Sequence, residues 1–124
     1  MASMQVDLEL KKAFQELQTK MITTTQQIKV SDAQIEQLKR SIKHSELVEH
    51  EIVALPESTR LYEGVGRMFI LQPKDDIKRN LTNKKKGAED KIKNVETSKS
   101  YLEKSIKESE DNLRELVMSK QQNR

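Results

Sequence analysis

From Leu10 to Ile42 the apolar residues recur in steps of three, four and seven: Leu10, Phe14, Leu17, Met21, Ile28, Ile35, Leu38 and Ile42. Thr24 and Ser31 stand at the two positions that the seven-residue steps skip. This is the a/d spacing of a coiled coil, sustained over several heptads. No Gly or Pro interrupts the segment from about Val6 to Leu47, which predicts a helix roughly 60 Å long. Asp7 and Glu9 lie near its start, where carboxylates favour the helix dipole.

A second segment, from about Lys74 to Lys120, repeats the pattern at Leu81, Ala88, Ile92, Val95, Leu102, Ile106, Leu113 and Leu116. Lys85, Lys99 and Ser109 fill its remaining seam positions. Pro73 suits a first helical turn, where its missing N–H would have no partner anyway. Asp75 and Asp76 follow at the favourable end. Gly87 weakens this helix by up to about 1 kcal/mol relative to Ala.

Residues 48–73 differ in kind. Pro56 and Pro73 bracket this middle, and Gly64 and Gly66 lie within it. Thr59–Glu63 and Arg67–Leu71 are short runs of β-type composition around Gly64-Val65-Gly66. They read as a β-hairpin with a glycine-bearing turn. Met68-Phe69-Ile70-Leu71 is apolar on both faces of its strand, so neither face is suited to water. Glu51–Leu55 reads as a short separate helical turn. The fold class is therefore mainly α: a long antiparallel two-helix coiled coil with a central β-hairpin, in one domain.

Composition agrees. Charged residues make up 35% and aromatics 3%, too little bulk for a thick core but enough for a thin seam. The regular spacing argues against the disorder that such a charge content would otherwise suggest. Basic and acidic residues number 23 and 20, a mixed surface with only a weak pull toward nucleic acid. The chain has no cysteine. No apolar run approaches the ~20 residues of a membrane span, and Met1–Asp7 lacks the pattern of a signal peptide. A cytoplasmic protein is expected, with no membrane partner and no cofactor.

A hairpin reverses the chain, so the two helices can pair along their length. Facing residue numbers that sum to about 123 would set Thr24 against Lys99 and Phe14 against Ser109. A lone two-stranded hairpin is marginal in water, and its open edges invite further strands. The middle segment therefore reads as an oligomerisation element, carried by Leu61, Tyr62, Met68, Phe69, Ile70 and Leu71.

The run Leu61-Tyr62-Glu63-Gly64-Val65-Gly66-Arg67-Met68-Phe69-Ile70-Leu71, set between heptad helices, resembles the centre of prefoldin β-type subunits. The opening Val6–Phe14 and the later Ser100-Tyr101-Leu102-Glu103 narrow the resemblance to one branch of that family. It covers nearly the whole chain. It implies a hexamer of α-type and β-type subunits, with hairpins forming a barrel body and coiled coils hanging from it as tentacles. It further implies ATP-independent holding of unfolded proteins, actin and tubulin type chains in particular, and their transfer to the cytosolic chaperonin.

At the free ends of the helices Leu8, Val117 and Met118 fall off the a/d seam. They read either as ordinary scattered apolar surface or as an adaptable patch to which Met lends plasticity. The resemblance favours the patch. The candidate client-binding set is then Val6, Leu8, Leu10 and Phe14, facing Leu113, Leu116, Val117 and Met118. Lys78–Lys93 carries seven basic and two acidic residues. With no aromatic side chain interleaved for base stacking, it reads as a solvated helix face and not as a nucleic-acid site. An acidic partner near the hairpin end stays open. His44 and His50, six apart, do not share a helical face as two metal ligands would. No arrangement of titratable residues points to catalysis. The rival to a holdase is a structural coiled-coil adaptor, which would use a plain loop where this chain has an apolar hairpin.

Overall fold

The computed structural model describes the backbone of residues 2–122 and the side chains of residues 5, 7–119 and 121. Helix α1 (Ala2–Ala54) is followed by strands β1 (Leu61–Val65) and β2 (Met68–Gln72) and by helix α2 (Lys74–Gln122). The chain divides into two compact units. One combines the residues up to 33 with those from 96 onward; the other spans Gln34–Val95.

In the unit that carries the hairpin, α1 runs on to Ala54. The residues Glu51–Leu55 are thus the end of α1, not a separate turn, and the boundary expected near Leu47 moves seven residues on. Pro56 sets the end, because a proline pushes the residue before it out of the helical region. The Leu55 N–H still bonds the Ile52 carbonyl at 3.1 Å. The Leu55 carbonyl, left without a helical partner, accepts from Lys74 Nζ at 3.0 Å, a cation at a helix C-terminus. The Pro73 carbonyl accepts the Ile77 N–H at 3.2 Å. Pro73 therefore caps α2 from just outside its first turn, with Asp75 and Asp76 inside it.

β1 and β2 pair antiparallel, from Leu61 opposite Gln72 to Val65 opposite Met68. The turn is Gly66-Arg67, not Gly64-Val65-Gly66. Gly66 has φ +62°, while Arg67 keeps an ordinary negative φ. That is the sign pattern of a type II′ turn, which asks for glycine at its first central position. Gly64 sits within β1 opposite Phe69. A Cβ on Gly64 would stand 3.7 Å from the Phe69 ring, so the ring covers a residue that has no side chain of its own.

The seam follows the heptads. In the hairpin unit Ile35, Ile52, Ala88 and the hydroxyl of Ser45 are buried, Ser45 with only 2% of its surface exposed. Among the described residues of the other unit only Thr24 is buried, and Leu10, Leu17, Met21, Ile28, Leu102, Ile106, Leu113 and Leu116 are half-buried. Phe14 departs from its expected seam position: it is 48% exposed, and Ala13 turns inward in its place. One neighbouring helix cannot enclose an aromatic ring, whereas a methyl group fits between two backbones. α1 begins at Ala2, so Asp7 and Glu9 lie beyond its first turn, where the dipole acts weakly.

The pairing register also differs from the expected one. Lys20 bonds Ser109, Asp32 bonds Lys99 and Glu46 bonds Lys85, pairs whose numbers add to 129, 131 and 131. This is one heptad away from the sum of 123. A heptad shift preserves every a and d position, so periodicity cannot distinguish the two. The lysines can. In the observed register Lys85 lies beside Ser45 and Glu46, and Lys99 beside Ser31 and Asp32. One heptad away, Lys85 would face Leu38 and its charge would lose its acceptor.

Candidate functional site

Side chains alternate across a strand, so the register distributes the hairpin residues between two faces. Tyr62, Leu71 and Phe69 share one face with Gly64; Leu61, Ile70, Val65 and Met68 share the other with Glu63 and Gln72. Only Leu61 and Gln72 are half-buried, and Phe69 is 77% exposed. Tyr62, Val65, Met68, Ile70 and Leu71 are exposed as well. Val65 was not among the residues expected here. Period-two alternation from Leu61 marks it once the turn moves to Gly66-Arg67. In a two-residue hairpin the pair next to the turn is hydrogen-bonded and the next pair is not. The backbone groups of Tyr62, Gly64, Phe69 and Leu71 consequently face outward along the two edges. Contiguous apolar side chains and open backbone edges together make a surface suited to strand addition.

In the unit that holds the helix ends, Ala13, Leu17, Leu113 and Leu116 form the apolar side of an open groove of about 300 Å³. Glu16, Lys20, Ser109 and Asn112 form its polar side. Lys20 Nζ donates to Ser109 Oγ at 2.8 Å, and that hydroxyl donates in turn to the Ser105 carbonyl at 2.9 Å. Of the residues expected to bind clients, the structure brings Leu113 and Leu116 to this groove. Leu10 and Val117 are half-buried, and Leu8, Phe14 and Met118 are exposed outside it. Val117 thus lies closer to the seam than its sequence position suggests. The Val6 side chain is outside the described residues. Sequence reasoning missed Ala13 and Lys20, since neither residue type stands out in a heptad pattern.

The electrostatics concentrate in the seam. Lys85 bonds Glu46 at 2.9 Å, and Lys99 bonds Asp32 at 2.6 Å with Glu103 at 3.9 Å. The hydrogen bond to Glu46, followed by the attraction of that carboxylate, raises the Lys85 pKa above its usual value. The hydrogen bond to Asp32 does the same for Lys99, against a smaller opposing effect of desolvation. Among the described residues no three His, Cys, Asp or Glu side chains gather into a group able to hold a metal ion, and no helix is long and apolar enough to cross a membrane.

Residues 15–120 match the family model described as prefoldin subunit. The chain is 59% identical to the protein called prefoldin subunit 1 of Danio rerio over 93% of its own length and 94% of that protein. Likeness to the Homo sapiens protein of the same name is 58% over the same shares, and to the Arabidopsis thaliana one 38% over 85% and 82%. The crystal structure of the prefoldin beta subunit from Thermococcus strain KS-1 superposes with a TM-score of 0.71, covering 86% of this chain and 90% of that one. At 19% identity, that last likeness concerns the fold alone.

Proposed function

Since the chain belongs to the prefoldin subunit family, and so assembles with other subunits of that family, we propose that it serves as a non-catalytic holdase subunit in the cytoplasm. Its hairpin joins the sheets of neighbouring α-type and β-type subunits. Its helix ends hold unfolded or nascent chains of the actin and tubulin type and release them to the cytosolic chaperonin without ATP. The observation that carries the reading is the exposure of nearly every apolar side chain of β1 and β2. A subunit acting alone would leave that surface in water, and a tethering rod would have no use for it.

Client capture at the helix ends is supported by the groove beside Leu113 and Leu116 and by exposed Leu8, Phe14 and Met118. Such a surface has few enclosed contacts and holds weakly, as a protein that must release its cargo requires. Repetition of the ends in one complex raises effective concentration and compensates for weak single contacts. The test is the complex rebuilt with this chain trimmed to residues 14–113 and its partners trimmed likewise. Assembly, read by light scattering, should persist, while suppression of aggregation of denatured actin should fall severalfold. Full protection by the trimmed complex would place the client site elsewhere, whereas no protection by the untrimmed complex would favour the adaptor reading.

A further inference from the structure

The basic run at residues 84–86 is divided by the structure. Lys85 enters the seam and bonds Glu46. Lys84 and Lys86 fall on opposite flanks of α2, because successive residues of a helix stand about 100° apart. The flank of Lys86 is the one on which Asp32 and Glu46, each following a seam serine, bond the seam lysines. The opposite flank carries an open groove of about 490 Å³, with Gln34, Gln37, Ser41, Lys91 and Asn94 around a floor of Leu38 and Val95. Lys84 precedes Lys91 by two helical turns, about 10.5 Å, on that same flank.

Three observations converge there. The positions on this flank, 34, 37, 41, 44 and 48 of α1 and 80, 84, 87, 91 and 94 of α2, hold no carboxylate. Neither Lys84 nor Lys91 forms a salt bridge among the described residues. Gly87 lies midway between them, and an added Cβ would meet nothing within 4 Å. The α2 backbone is thus open to close approach between two unpaired cations.

We propose that this flank binds an acidic amphipathic helix of a partner protein. Carboxylates seven residues apart on that helix match the spacing of Lys84 and Lys91. An aliphatic side chain between them covers Leu38 and Val95, and the amides of Gln34, Gln37 and Asn94 bond polar groups at its rim. Two cations with neutral amides and no aromatic side chain suit a peptide better than a nucleic acid. This inference is independent of where clients bind.

The probe is a fluorescein-labelled helical peptide with glutamates seven residues apart and leucines between them, titrated into the assembled complex and read by anisotropy. Lys84→Glu with Lys91→Glu should weaken binding roughly tenfold or more. Gly87→Gln, which leaves the charges in place but fills the approach, should weaken it as well. Lys43→Glu with Lys86→Glu, on the other flank, should leave it within about twofold. Circular dichroism and light scattering establish that each variant is folded and assembled. Absence of binding to the unaltered complex, or equal loss from both charge pairs, overturns the proposal. So does equal displacement of the peptide by single-stranded DNA, which would assign the flank to nucleic acid.

Discussion

The two units expose apolar side chains in different ways. In the hairpin unit most of them lie on the two faces of a regular sheet, with open backbone edges beside them, and Leu47, Val53 and Leu55 lie outside it towards the end of α1. In the unit of the helix ends they line a shallow groove or stand singly, mixed with Glu16, Lys20 and Asn112. A sheet with directed hydrogen-bonding edges specifies its partner and, once covered, resembles a protein interior. A groove with a mixed rim accepts many partners and holds none tightly. On the proposed function, permanent association and temporary capture are thus segregated along one chain.

The strongest challenge to that contrast is Phe69→Asp with Leu71→Asp. If the sheet is covered in the assembly, these charges should cost several kcal/mol and the complex should dissociate, while circular dichroism still reports helix. Intact complexes by light scattering would place assembly elsewhere. Next in size, Ile35→Ala in the hairpin unit should cost more than Leu17→Ala in the other, since Ile35 is 7% exposed and Leu17 half-buried. A fully enclosed site loses about 2–5 kcal/mol, and a two-helix seam less. Equal losses in thermal melts would mean that both units pack alike.

The polar layers give a smaller effect. Lys85 and Lys99 have pKa values raised above 10.5, so their contribution is complete below pH 10.5 and is lost as pH rises through the raised values. Melting temperature should fall in that alkaline window, and Lys85→Gln with Lys99→Gln should flatten the fall. Smallest, Gly87→Ala should raise stability by up to about 1 kcal/mol, because its Cβ would meet no neighbouring atom. Destabilisation in a denaturant titration would mean that this helix needs its glycine for folding.

The hairpin was legible because prolines and glycines punctuate it and β-type residues fill it. Helical continuity through Leu47–Ala54 was not, since one turn of apolar residues beside a proline reads equally well as a separate element. The register was ambiguous for a deeper reason: heptads are degenerate under a seven-residue shift, and the information that removes the degeneracy lies in Lys85, Lys99 and the turn. A turn centred on Gly66-Arg67 already favours partner sums near 130 over 123. Phe14 was misplaced because spacing identifies a stripe but not how much a single neighbouring helix can enclose. Among the candidate site residues, strand composition marked the hairpin patch, whereas the groove beside Leu113 depends on Ala13 and Lys20, which carry no signal of their own.

The outward backbone groups of Tyr62 and Gly64 on one edge, and of Phe69 and Leu71 on the other, have a consequence for supply. Each copy has two dissimilar edges, and a single neighbour satisfies one of them. Head-to-tail joining of that kind ends only when a ring closes. Copies made in excess of their neighbours would keep a bare edge and become substrates for misassembly or degradation. If subunits join through these edges as proposed, synthesis of this chain must be matched to that of the subunits on either side, and an imbalance should first appear as a shortened half-life of the surplus subunit.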